Sequence, residues 1–250
     1  MIDIHTHVLP DLDDGARNDN ETAALIRAEL SNGVRELVFT PHYYAKKRPV
    51  ECFLKQREAV VERIRPLLSV GLKTRVGAEV HLTGVNDPPS DALCSLAIEG
   101  TNCVLVELPF EGKWNGGLLT NLFRFIADTG YQPIIAHIER YEQIHKNPTL
   151  VNTLVKMGCL IQLNTGAFLD KHTQKFAFCL LRHGLVHCLG TDTHNLEDRA
   201  PNYKAAKEYV KEKGYKKEWA QVQSRMRQIL KNQKVENTCT PIKKLFWWYK

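Results

Sequence analysis

Asp3-Ile4-His5-Thr6-His7 is the stretch from which the fold can be read. With Ile2 and Val8 on either side, it alternates apolar and polar side chains, the period-two pattern of a short strand. That period puts His5 and His7 on one face. Two imidazoles side by side at a strand end make half of a transition-metal or zinc site. An isolated His-x-His is more often a polar strand edge, so the decision rests on how the other strands end.

Seven segments read as short buried strands: residues 2–7, 35–40, 74–80, 102–108, 132–137, 159–164 and 186–190. Helix-like stretches separate most of them, at residues 21–31, 52–68, 121–128, 150–156 and 173–182. Asn18, Asp19 and Asn20 are good caps for the first helix, which Gly33 ends, and Asn147-Pro148 opens the fourth. Pro88-Pro89-Ser90-Asp91 reads as a local turn, and two further helices are predicted at 203–214 and 217–231. Repeated strand-helix alternation predicts an α/β fold with a parallel sheet. Periodicity alone leaves two architectures, an open doubly wound sheet or a closed, distorted barrel.

The carboxyl ends of these strands are chemically alike. They carry His5 and His7 followed by Asp11, Asp13 and Asp14; Thr40-Pro41-His42; Glu79; Glu107; His137-Ile138-Glu139-Arg140; Gln162-Leu163-Asn164; and Asp192-Thr193-His194. Parallel α/β folds bind ligands at that end, so these groups are expected to converge on one pocket. Imidazoles with several carboxylates and no thiolate suit Mn²⁺, Fe²⁺ or Zn²⁺. Five histidines and four carboxylates exceed the needs of one ion, which predicts two or three ions sharing bridging carboxylates.

The bulk composition agrees. A chain of 250 residues with 43% hydrophobic content suits one large domain with a sizeable core. The seven cysteines are odd in number, scattered and without a Cys-x-x-Cys pair. That argues for reduced thiols in a cytoplasmic protein, and against a disulfide framework or a Cys-based zinc site. No run is long enough to span a bilayer, and the chain opens directly with its first strand rather than with a leader pattern. The net charge of +6 is uneven: residues 203–250 carry 13 basic and 4 acidic side chains, leaving −3 on the first 202. This basic helical segment is expected to pack on or extend from the barrel domain. Its charge suits an acidic partner, a nucleic acid or an anionic membrane surface, or simply a solvated helical surface.

His5-Thr6-His7 with Asp14, Thr40-Pro41-His42, Glu79, Glu107, Ala136-His137 and Asp192-Thr193-His194 resemble the PHP (polymerase and histidinol phosphatase) superfamily. Longer strings are more specific. Residues 1–7 with Asp13-Asp14-Gly15, residues 133–141, and residues 192–199 resemble its bacterial capsule and exopolysaccharide tyrosine phosphatases. The likeness runs in order from residue 1 to about residue 201. It implies a distorted (β/α)7 TIM-like barrel and a trinuclear centre, often manganese. His5, His7, Glu79 and Asp192 would then hold one ion. Glu79, Glu107 and His137 would hold a second, and Asp14, His42 and His194 a third. Arg140 and Arg199 match the family's phosphate-contacting arginines. The implied reaction is attack of a metal-activated hydroxide on phosphorus. The implied substrate is a phosphotyrosine segment of a membrane-associated bacterial tyrosine kinase controlling polysaccharide polymerisation. The protein would meet the membrane only peripherally, through that kinase, and an oligomer is compatible with the sequence. Two rim loops depart from the pattern: Thr40–Lys46, where a more basic run is expected after His42, and Phe110–Leu118, which carries Trp114.

Other readings keep the same residues. A small-molecule PHP phosphatase, for example for histidinol phosphate, would differ only in its rim loops. A nucleic-acid-directed module is disfavoured by the absence of a base-reading motif, so no stable nucleic-acid partner is expected. Arg140 and Arg199 could instead pair with Glu139 and Asp198. His81 could support the centre or cap its strand, and Trp114 could stack on a phosphotyrosine ring or pack as a lid. His145, His172, His183 and His187 read as surface or core residues, and Lys46, Lys47 and Arg48 as a solvated loop or an anion-greeting one.

Overall fold

Ile4, Leu37, Val38, Leu105, Ile134 and Ile161 are all fully buried, as expected of parallel strands covered on both faces. The computed structural model describes residues 1–84, 87–111, 114, 116–235 and 239–243. The chain runs β1 (Ile2–Thr6), α1 (Asp19–Ser31), β2 (Glu36–Phe39), β3 (His42–Tyr43), α2 (Val50–Ile64), β4 (Lys73–Val76), β5 (Glu79–His81) and α3 (Ser90–Ser95). It continues with β6 (Cys103–Glu107), α4 (Gly116–Thr129), β7 (Gln132–Ile135), α5 (Glu142–Lys146), α6 (Leu150–Lys156), β8 (Leu160–Asn164), α7 (Gln174–Arg182), β9 (Cys188–Gly190), α8 (Tyr203–Glu212) and α9 (Lys216–Leu230).

Every strand pair is parallel, in the orders β1-β2-β4 and β3-β5-β6-β7-β8-β9. The two ladders are one ring, because β3 continues β2 and β5 continues β4. The last strand reaches the first through a parallel bridge between Thr6 and Thr193, with Asp192 N–H donating to His5 O at 2.9 Å and His7 N–H to Thr193 O at 3.0 Å. Seven strand positions therefore surround the core, and the fold is the distorted seven-stranded α/β barrel rather than the open sheet.

The distortion has local causes. Pro41 has no N–H to give the ladder, so β2 stops at Phe39 and pairing resumes at His42. The strand expected at 74–80 is broken in the same layer, at Gly77-Ala78, where Gly77 N–H donates to Phe39 O and Glu79 N–H to Pro41 O. The helix expected at 52–68 ends at Ile64, and a 3-10 turn containing Pro66 follows. Pro88-Pro89 is more than a turn, because it opens α3. Asn18 caps α1 by accepting Glu21 N–H at 3.0 Å.

The basic helices α8 and α9 share the main core through Tyr203, Val210, Trp219 and Met226. Arg225 on α9 donates to the carbonyls of Gly184 and Val186 at 2.7 and 2.9 Å, just before β9. The aromatic run at 245–249 lies outside the described residues. Among the described residues, no helix is long and apolar enough to cross a membrane.

Candidate metal centre

β1 delivers two imidazoles to the carboxyl end of the barrel, and the neighbouring strands deliver the carboxylates that face them. His5 Nε2 lies 3.1 Å from Glu79 Oε2 and 3.5 Å from Asp192 Oδ1. His7 Nε2 lies 3.2 and 3.4 Å from the same two oxygens. These four residues form one group whose donor atoms all lie within 4.8 Å of one another. Asp14 joins His7, His42 and His194 in a second such group, with His42 Nε2 and His194 Nε2 at 3.5 and 3.3 Å from Asp14 Oδ1. Glu79 and Glu107 meet His42 in a third. His137 Nε2 sits 2.8 Å from Glu79 Oε1 and 3.5 Å from Glu107 Oε1. The nine side chains singled out in the sequence thus meet in one place, with Glu79 in the middle.

Burial and charge make this place unusual. Glu79 and the first two histidines are 0% exposed. Burial works to raise the Glu79 carboxyl, yet His5 and His42 hold it well below the usual range. Asp192 is likewise held well below it, against burial, chiefly by His5. Burial opposes protonation of His5, but the Glu79 and Asp192 carboxylates raise it. His7 is raised further by Asp13. Burial lowers His194, helped by His7.

Several buried atoms here make no well-aligned hydrogen bond, although most stand in close charge contacts within the cluster: Glu79 Oε2, Asp192 Oδ1, His42 Nδ1, His137 Nδ1 and His194 Nε2. Buried polar atoms are almost always satisfied. Oxygens and imidazole nitrogens left unsatisfied together, at one end of a barrel, are the donor set of hard-to-borderline divalent cations. The residues fit a metal cluster.

Arg140 and Arg199 stand beside it. Arg140 Nη1 lies 3.1 Å and Arg199 Nη2 2.7 Å from Asp192 Oδ2. Arg199 Nη1 is 3.9 Å from Asp14 Oδ2. Their ion pairs run to the centre, not to Glu139 or Asp198. Glu139 instead accepts Asn164 N–H, and burial pushes its carboxyl up to about 8. Both guanidiniums are partly exposed, so each can take an anion at the mouth of the site.

The family model for capsular polysaccharide synthesis, CpsB/CapC, matches residues 1–232. The chain belongs to the CpsB/CapC family. It is 30% identical to the tyrosine-protein phosphatase YwqE of Bacillus subtilis over 207 residues, 80% of this chain and 79% of that protein. It is also 30% identical to the tyrosine-protein phosphatase CpsB of Streptococcus pneumoniae over 233 residues, 85% and 90% of the two chains. A solved structure from work on YwqE and CpsB, described there as unique metal-dependent tyrosine phosphatases, superposes with a TM-score of 0.81 at 24% identity. The match covers 98% of this chain and 100% of that one and establishes the shared fold.

Three residues of this CpsB/CapC chain were not singled out as site residues in the sequence. Asp13 Oδ2 takes His7 Nδ1 at 2.7 Å and His42 N–H at 2.9 Å, which turns the His7 Nε2 inward. His7 and backbone N–H groups hold the Asp13 carboxyl down at about 2, against burial. Gln162 and Asn164, at the end of β8, connect to His5, His137 and Asp192. Asp13 had a sequence signal, lying two residues from Gly15, where the loop turns back so that Ala16 N–H meets His7 O. The two amides had none beyond their place at a strand end.

His81 supports the rim by bonding Glu107 Oε2 through Nδ1 at 3.0 Å. The Tyr44 ring packs at a tilt against His42 and His81, with centroids 5.3 and 5.5 Å away, and Lys47 Nζ lies 4.2 Å from its ring centroid. Trp114 packs on its own chain: its Nε1 donates to Pro109 O at 3.0 Å and its ring meets Tyr141 edge-on. Trp114→Ala is therefore expected to change KM for a phosphotyrosine peptide by less than about twofold, while lowering thermal stability by roughly 1–3 kcal/mol. A tenfold rise in KM would restore the stacking role.

Proposed function

We propose that the chain is a metal-dependent tyrosine-protein phosphatase, a phosphomonoesterase of polysaccharide synthesis. Its substrate would be a phosphotyrosine segment of a membrane-associated bacterial tyrosine kinase, met in the cytoplasm. The observation that carries this reading is the cluster of unsatisfied Glu79, Asp192, His42 and His194 atoms beside two inward-paired arginines. The relatives named as tyrosine-protein phosphatases support it.

Manganese is the ion proposed, since imidazoles and carboxylates without thiolate suit it; Fe²⁺ and Zn²⁺ are the competitors. Bound there, divalent ions supply Lewis acidity, acidifying water and neutralising charge on phosphate oxygens. His5, His7, Glu79 and Asp192 would hold one ion. Glu79, Glu107 and His137 would hold the second, and Asp14, His42 and His194 the third. Arg140 and Arg199 take the remaining phosphate oxygens, bidentately where geometry allows, and stabilise charge in the transition state. Their contact with Asp192 holds both guanidiniums in place before substrate arrives. The phenolate leaving group, with a tyrosine pKa near 10, departs with less protonation than an alkoxide needs.

No thiol takes part. Burial pushes Cys103 and Cys159 up to about 12, and neither belongs to the clustered groups. Alkylation of the native protein should leave kcat/KM within about twofold; loss of activity on alkylation alone would bring back a cysteine nucleophile.

The deciding experiment compares manganese-loaded protein on a phosphotyrosine peptide and on histidinol phosphate, with and without chelator. Chelator-sensitive preference for the peptide is expected. Preference for histidinol phosphate would keep the centre and replace the substrate.

A further inference from the structure

Gln162 is 0% exposed and lies behind the centre rather than in it. Its Oε1 accepts the backbone N–H of His137 and faces His5 Nδ1 at 3.3 Å. Its Nε2 donates to Asn164 Oδ1 at 2.9 Å, and Asn164 Nδ2 donates to Asp192 Oδ2 at 3.1 Å. One side chain thus reaches His5 and His137 directly and Asp192 through a relay.

The amide has only one workable orientation. Flipped, its NH₂ would face the His137 N–H, donor against donor. With Oε1 toward His5, the proton of that ring belongs on Nδ1. The Nε2 lone pair is then left for the side where Glu79 and Asp192 converge.

Two further observations point to Gln162. His137 has φ 29° and ψ 58°, left-handed backbone that a non-glycine residue adopts only when its surroundings hold it. The N–H that Gln162 catches belongs to that residue. Gly190 pairs with Asn164 across β8 and β9. A Cβ there would lie 3.1 Å from Gln162 Nε2 and 2.4 Å from His5 Cβ. The absent side chain leaves the space in which Gln162 and His5 meet.

We propose that Gln162 is a positioning residue for the centre: it sets the His5 tautomer, holds the left-handed turn at His137 and, through Asn164, aims Asp192. This rests on the metal-centre reading of the site.

The test uses three variants of the full chain, each assayed for manganese affinity by calorimetry and for kcat and KM separately at saturating metal. Gln162→Leu removes every contact at similar volume. It is expected to weaken manganese binding about 10- to 100-fold and to lower kcat, with KM within about twofold. Gln162→Glu keeps the Oε1 acceptor and should recover affinity to within about tenfold of wild type. Asn164→Ala cuts only the relay to Asp192 and should cost about tenfold in affinity; it also serves if the leucine variant fails to fold. Wild-type affinity in Gln162→Leu or Asn164→Ala would overturn the proposal, as would equal losses in Gln162→Leu and Gln162→Glu. Wild-type protein that binds no divalent cation would overturn the centre itself, a different failure from a metal-binding protein indifferent to Gln162.

Discussion

Glu79→Gln is expected to lower kcat about a thousandfold, roughly 4 kcal/mol of barrier, and to remove at least one ion from each chain. Its two oxygens are shared by four imidazoles: Oε2 faces His5, His7 and His42 at 3.1, 3.2 and 3.0 Å, and Oε1 faces His137 at 2.8 Å. The amide has nearly the same volume, so packing is preserved. It lacks the charge that holds His5 up and that would draw divalent ions, and it turns an NH₂ donor toward atoms that must remain acceptors for metal. Metal content measured by mass spectrometry, together with circular dichroism, separates this loss from misfolding. A folded Glu79→Gln protein with full metal and activity within tenfold of wild type would remove Glu79 from the centre.

Gly15→Ala carries the second large effect, and it acts on the backbone. A Cβ at Gly15 would stand 2.0 Å from His7 O and 2.7 Å from His7 Cβ. No flexible side-chain end can give way, because the closest atom is main chain. The loop must lift, breaking the Ala16 N–H contact to His7 O and the Gly15 N–H contact to Asp13 Oδ1. Asp13, which holds the His7 ring, and Asp14, which faces His42 and His194, move with it. Destabilisation of roughly 3 kcal/mol is expected, a fall of about 6–12 °C in Tm, together with weakened manganese binding. Gly116→Ala is the control. A Cβ there meets nothing within 4 Å, at the first turn of α4, and its effect should stay within about 0.5 kcal/mol. A Gly15→Ala variant as stable as this control would mean that the loop has room the structure does not show.

The residues that were hard to read from sequence share a physical character. β3 is two residues long, and β5 is separated from β4 by a Gly-Ala step; strands this short carry too little alternation to be seen as separate. α5 has five residues, below the length at which helical periodicity is visible. Asp13 sits in a loop rich in acidic residues, where its place two residues before Gly15 is a signal for a turn but not for the contact with His7 that sets it apart from Asp11 and Asp14. Gln162 is a neutral amide inside an apolar strand, and the two histidines it reaches, His137 and His5, are 25 and 157 residues away in the chain. Long-range side-chain pairing has no signature in a single sequence.

Sequence alone determined the alternation of strands and helices, the parallel sheet that this alternation requires, and the histidines and carboxylates at the strand ends. Each of these follows from local periodicity and residue chemistry, which act over a few neighbours. Tertiary structure decided the closure of the ring between β1 and β9, the sharing of Glu79 among four histidines, and the turning of Arg140 and Arg199 toward Asp192 rather than toward their acidic neighbours. Those outcomes depend on distances between residues far apart in the chain, and only the packed barrel sets them.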